Sequence, residues 1–181
     1  MPAQEKLGAA DCDPQRIRAL QLARKGAQSV EMKHNAIRLA RTGEEGAIGE
    51  CVSAAYRVYI ERIGKKPAPM LADYAALIAR GVVYVIVAQS KVRGVLVMWP
   101  KDDRMFVENI AVHPRCQRRG LGRKMIEFVE RRAVEMALSK IWLYTNETMT
   151  ENIAYYHKLG FEEVDRRVED GYRRVFMQKK L

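Results

Sequence analysis

A mixed α/β sheet with helices on both faces is the fold class this sequence predicts, and three observations lead to it. Apolar residues switch repeatedly between a two-residue and a three-to-four-residue period, which alternates strands with helices. A turn holding Gly120 and Gly122 joins a strand pattern to a long helical one. The chain also ends on two β-forming runs around Asp170-Gly171, a good two-residue hairpin turn.

The elements follow in order. Ala36–Arg41 alternates as a short first strand, and a helical pattern runs from Glu44 to about Arg62. Gly64-Lys65-Lys66-Pro67-Ala68-Pro69 is a break, because each proline removes a backbone donor and restricts the residue before it. Leu71–Ala79 reads as a second, short helix. Val82–Ala88 and Gly94–Trp99 are strands, with a polar turn at Gln89–Arg93 that suggests a hairpin. Met105–Val112 is the next strand. After the glycine turn, Leu121, Met125, Val129, Ala133 and Met136 recur at helical spacing and form one apolar stripe. Ile141–Thr145 is a strand, Asn152–Leu159 a helix, and Phe161–Val168 with Tyr172–Gln178 the closing hairpin.

The 181 residues suit one substantial core. We divide them into an N-terminal basic extension, 1–34, with a short helix over Pro14–Lys25 as one reading, and a domain, 35–181. The extension has no uninterrupted apolar block of the kind a signal peptide carries. No run approaches the length of a membrane span, so no membrane partner is expected. Cys12, Cys51 and Cys116 are odd in number and lack zinc-site spacing, which fits a reducing cytoplasm and no metal. The net charge of +10 admits a nucleic-acid-binding module, but no aromatic strand motif or helix-turn-helix accompanies it. A cationic surface that recruits a phosphate-rich ligand explains the charge equally well.

The stretch Val112–Met125 carries the most chemistry. It holds five cations and no acid, and it lies where a strand ends and a helix opens. Unpaired amides at a helix start carry partial positive charge and hold phosphate oxygens. Ligands of open sheets bind where neighbouring strands part, at such carboxyl ends. Two familiar phosphate motifs are excluded. A dinucleotide fingerprint needs a third glycine where Met125 stands, and an acid about twenty residues later where Leu138-Ser139-Lys140-Ile141 stands. The P-loop string is absent.

The order of strand, His113-Pro114, then Gln117-x-x-Gly120-x-Gly122 at a helix start resembles the acetyl-CoA motif of the GNAT N-acetyltransferase superfamily. A second stretch, Asn152-Ile153-Ala154-Tyr155-Tyr156-His157-Lys158-Leu159-Gly160-Phe161, looks like that family's Asn-containing helix ending in Y-x-K-x-G-F. The resemblance covers about 36–181 and includes the element order. It implies a GNAT-like, mostly antiparallel central sheet with splayed strands. It also implies acetyl-CoA as donor, an amine acceptor of small-molecule or, less favoured, protein type, and direct transfer; many relatives are homodimers.

The same resemblance implies site residues. The pantetheine arm would pair with the backbone of Ile110, Ala111 and Val112 as an added strand. The pyrophosphate would meet the amides of Gln117, Arg118, Arg119, Gly120, Leu121, Gly122 and Arg123, with the cations and Lys124 adding attraction. Asn152 would bond the pantetheine amides or, on a structural reading, cap its helix. Acyl transfer to an amine needs a base for the ammonium proton and an acid for the departing thiolate. Glu108, inside an otherwise apolar strand, is the base candidate; strand alternation would set it on one face with Ile110 and Val112. Tyr156 matches the family's tyrosine and is the acid candidate. Cys116 and His113 are read as incidental. Tyr56, Tyr59, Met70 and Tyr74 fall where similar enzymes wall the acceptor pocket, although core packing explains each as well. A non-catalytic acyl-CoA sensor that keeps the fold is the alternative from another class.

Overall fold

The computed structural model describes residues 36–181; the extension and its expected helix lie outside the described residues. One seven-stranded sheet runs in the order β1-β2-β3-β4-β5-β7-β6, with β1 Ile37–Leu39, β2 Val83–Ala88, β3 Lys91–Lys101, β4 Arg104–Val112, β5 Lys140–Asn146, β6 Glu162–Glu169 and β7 Tyr172–Lys180. Every neighbouring pair is antiparallel except β4–β5.

Helices cover both faces, as expected. On one face, α1 (Glu45–Tyr56) and α3 (Tyr74–Ala79) bury Ile48, Val52, Leu77 and Ile78 against Val83, Val95 and Phe106. On the other, α4 (Leu121–Glu135) lays its stripe of Leu121, Met125, Val129 and Ala133 on Leu96, Val107 and Ile141. Met136, the last expected member of the stripe, caps that helix rather than extending it. α5 (Thr150–Lys158) joins the same core through Ile153 and Tyr156.

Three expectations need correction. The single helix from Glu44 to Arg62 is broken: α1 gives way to a 3-10 turn, Arg57–Tyr59, and then to α2 (Ile60–Ile63), closed by Gly64 at φ 77°. Helices in proteins are held by packing of an apolar face; Val58 is exposed, so the buried stripe of α1 stops at Ala55. The helix expected from Leu71 starts only at Tyr74, because Ala72 is extended and Asp73 supplies the cap, accepting a 3.0 Å bond from Ala76 N–H. The β2–β3 turn is only Gln89-Ser90, at φ 51° and 59°, so β3 begins at Lys91. Two left-handed residues match the twist of a tight hairpin. Asp170-Gly171, at φ 52° and 73°, makes the second such turn where it was expected.

The register of β4 positions the site. Val97 opposes Asn109 while Met98 opposes Val107, so Glu108 is an extra residue, a β-bulge against β3. On its other side β4 pairs with β5 only from Arg104↔Lys140 to Val107↔Leu143. The bulge and the parting of the parallel strands fall at the same residue.

Candidate active site

The bulge overturns the expected alternation. Glu108 does not share a face with Ile110 and Val112. Its Oε1 accepts a 2.6 Å bond from the Tyr144 hydroxyl, and Tyr144 packs against the core under α1 and α3. Ile110 and Val112 pack against the core under α4. An extra residue in one strand shifts every later side chain by one step relative to those before it.

Next to the bulge, Asn109 is 4% exposed and hydrogen-bonded through both its amide oxygen and its amide nitrogen. Its Oδ1 accepts from Tyr56 Oη at 2.7 Å, and its Nδ2 donates to Tyr74 Oη at 3.3 Å. Tyr74 in turn donates to the Pro69 carbonyl at 2.8 Å. This relay ties the break between the early helices to β4 exactly where β4 leaves β5, and it satisfies polar groups whose burial unpaired would cost roughly 1–3 kcal/mol each.

Beyond Val107, β4 keeps a ladder only towards β3, so its other edge borders a gap. A cleft of about 570 Å³ opens there, lined among others by Tyr56, Pro67, Glu108, Tyr144, Asn152 and Tyr156. Glu108 reaches the gap from the α1 side of the sheet. Tyr156 reaches it from the α4 side, packed edge-on against Phe161 with ring centroids 5.6 Å apart. Among the described residues Glu108 and Arg174 are the only charged side chains lining the cleft, and Arg174 is already paired with Glu169 and Asp170.

Burial raises the Glu108 carboxyl above its ordinary value, while the Tyr144 bond opposes that rise. Burial also pushes the Tyr156 phenol well up, which keeps its proton in place at neutral pH.

The helix start is built from backbone. Gln117 Nε2 donates to the Val112 carbonyl at 3.0 Å and so folds the loop back on the end of β4. His113 Nδ1 accepts from Arg115 N–H at 3.3 Å. Arg118 at φ 58° and Gly120 at φ 79° both adopt left-handed conformations, after which α4 begins with no acid in its first turn. A Cβ on Gly120 would meet nothing within 4 Å, but one on Gly122 would come 3.1 Å from Tyr155 Oη. Gly122 thus also lies close against Tyr155 of α5, a contact the linear pattern does not show. Leu121 anchors the helix in the core; Arg118, Arg119 and Arg123 are exposed, and Arg123 pairs with Glu127 at 3.0 Å.

Asn152 lines the cleft from inside α5, whose N-cap is Met149, so its reading as a helix cap is excluded. Of the four residues weighed for the acceptor wall, Tyr56 lines the cleft, whereas Tyr59, Met70 and Tyr74 do not. Asn109, Tyr144 and Arg174 were not singled out in the sequence. The available signal was the pair Glu108-Asn109, since two consecutive polar residues in an apolar strand mark a bulge.

Fold and site together define an α/β protein whose one parallel strand pair opens beside a glycine-started helix. A model of the acetyltransferase (GNAT) family matches residues 50–161, and the chain belongs to that family. In sequence it is 36% identical over 61 residues to the [ribosomal protein bS18]-alanine N-acetyltransferase of Escherichia coli K12, and 38% identical over 61 residues to that of Salmonella typhimurium. Each match covers 34% of this chain and 41% of the relative's length. The fold is similar to the PaiA N-acetyltransferase of Thermoplasma acidophilum, solved in complex with coenzyme A (TM-score 0.68, 14% identity, 83% of this chain and 100% of that one). It is also similar to the E. coli ribosomal-protein-S18-alanine N-acetyltransferase (TM-score 0.64, 22% identity, 81% and 93%).

Proposed function

We propose that the chain transfers the acetyl group of acetyl-CoA directly to a primary amine. The observation that carries this reading is the gap between β4 and β5, entered by a carboxylate from one face and a phenol from the other. Acetyl-CoA supplies an activated thioester. The open edge of Ile110, Ala111 and Val112 offers main-chain groups to its pantetheine arm, and Asn152 offers a side-chain amide on the facing wall. The amides from Gln117 to Arg123 form the phosphate cradle, where neither an acid nor a Cβ on Gly120 obstructs approach.

An amine arriving as an ammonium meets Glu108, a carboxylate that lines the cleft. Glu108 takes the proton directly or through a water molecule, leaving the nitrogen lone pair free to attack. The new N–C bond forms as the C–S bond breaks; Tyr156, held protonated by burial, donates to the departing sulfur, and the proton shed by the amide nitrogen restores the phenol. Aromatic and apolar walls suit a small amine with an apolar body, our first choice of acceptor. A protein N-terminal amine is the second, favoured by the names of the bacterial relatives.

Cys51 and Cys116 are both free, in keeping with the reducing cytoplasm we assign to the protein. Among the described residues no helix is long and apolar enough to cross a membrane.

Release of free thiol from acetyl-CoA over a panel of small amines and alanine-terminated peptides tests the reading. Acceptor-dependent release above the hydrolysis background is expected. Binding of acetyl-CoA with no release for any acceptor would favour the sensor alternative.

A further inference from the structure

We propose that Tyr144, braced by Arg174, is the positioning residue that holds the Glu108 carboxylate with its second oxygen turned to the cleft. The inference rests on Glu108 being the proton acceptor, and it names a group that acts through that acceptor.

A carboxylate on a bulge is poorly constrained, because the extra residue has no ladder partner to fix it. Here the constraint comes from the next strand. Tyr144 Oη donates to Glu108 Oε1 at 2.6 Å, a short, charge-assisted bond. Oε2 makes no hydrogen bond to the described residues, while Glu108 lines the cleft. One oxygen is anchored and the other is available to a proton.

Tyr144 is itself held from behind. Its ring packs between Phe106 and Phe176, at centroid distances of 6.0 and 5.8 Å. The guanidinium of Arg174 lies 4.1 Å from its ring centroid, over one face. Asn146 opposes Arg174 across β5 and β7, and Tyr144 opposes Phe176, so Tyr144 and Arg174 are diagonal neighbours on one sheet face. Arg174 is 6% exposed and cannot swing away, since Glu169 and Asp170 of the β6–β7 hairpin both pair with it. A cation over a phenol ring draws electron density from the hydroxyl and makes it a stronger donor. The stack therefore runs Glu169/Asp170, Arg174, Tyr144, Glu108, across four neighbouring strands.

The charged and titratable groups that act on Glu108 are Tyr144 on β5, Arg174 on β7, and Glu169 and Asp170 in the hairpin. Tyr56 on α1 and Tyr74 on α3 also lie near enough for its charge to act on them. Tyr144 and Arg174 favour the ionised carboxylate, whereas Glu169 and Asp170 disfavour it. Removing the Tyr144 hydroxyl therefore makes Glu108 harder to ionise. The acidic limb of a rate profile, where Glu108 loses its proton, then moves to higher pH.

The test is the pH profile of kcat/KM for acetyl-CoA-dependent thiol release, with an amine acceptor, in wild type, Tyr144→Phe, Glu108→Gln and the double variant. Tyr144→Phe is expected to lower kcat/KM about tenfold and to raise the acidic limb by about one pH unit, the scale of one lost charged hydrogen bond. KM for acetyl-CoA should stay unchanged. The double variant should be no slower than Glu108→Gln alone, because Tyr144 acts only through Glu108. Far-UV circular dichroism checks that each variant folds, and Tyr144→Trp, bulkier and without the phenol, replaces Tyr144→Phe should that one fail.

An unmoved limb in Tyr144→Phe, together with a crippled Glu108→Gln, would overturn the positioning role and leave the base reading standing. A double variant slower than Glu108→Gln by the full Tyr144→Phe factor would overturn it too. Full activity of Glu108→Gln would overturn the base reading itself, and the role of Tyr144 with it.

Discussion

The two ends of the cleft are made from different materials. At the α4 start the working groups are backbone: a helix terminus, two left-handed residues and an open strand edge, with side chains mostly exposed. At the β4 bulge the working groups are side chains: Glu108, Asn109, Tyr56, Tyr144 and Tyr156, each held by partners from other elements. On the proposed function the first end would bind by shape and partial charge and tolerate changes of side chain that leave the backbone in place. The second would set protonation states, and Glu108, Asn109, Tyr56 and Tyr144 each depend on a neighbour distant in sequence. Changes at the first end should therefore read out in acetyl-CoA affinity, and changes at the second in turnover and its pH dependence.

The sharpest way to break that division is at Glu108. Glu108→Gln should lower kcat by about a hundredfold or more, within the range for loss of a general base, and abolish the acidic limb of the rate profile. In wild type that limb should lie above the ordinary carboxylate range, because burial raises the group; activity is lost as pH falls and the base takes up a proton. Tyr156→Phe should cost somewhat less, about thirtyfold in kcat, as loss of a general acid. It should leave the acidic limb in place, since the phenol stays protonated throughout. Steady-state rates against pH check both.

The donor end should answer differently. Gly120→Val forces a β-branched residue to φ 79° and should destabilise the fold by about 2 kcal/mol, a fall of several degrees in Tm. The same variant should weaken acetyl-CoA binding, measured by calorimetry, by about tenfold through displacement of the cradle amides. The smallest effect is expected at Gly122. Gly122→Ala presses a methyl to 3.1 Å from Tyr155 Oη and should cost under about 1 kcal/mol. Tyr155→Phe in the same chain should relieve that strain, as a double-mutant cycle on Tm would show.

The contrast also explains what could be read from the chain. The helix start, the α4 stripe and the Asp170-Gly171 hairpin depend on residues close in sequence, and their signals were complete in short windows. Glu108 and Tyr156, which both line the cleft, were legible as candidate residues. Their arrangement was not. The bulge is a matter of register between β3 and β4, and strict alternation put Glu108 on the wrong face. The Tyr144–Glu108 bond joins residues 36 apart, and the Tyr56–Asn109 bond joins residues 53 apart. The early helix broke at Val58 because burial stopped there, which no propensity announced.

The separation of the two ends is tested most directly by titrating acetyl-CoA into Glu108→Gln and wild type, with turnover measured on the same preparations. The account predicts the same dissociation constant, within about twofold, while kcat falls by about a hundredfold or more. A dissociation constant that weakens in step with kcat, or a Glu108→Gln variant that turns over as fast as wild type, would contradict it.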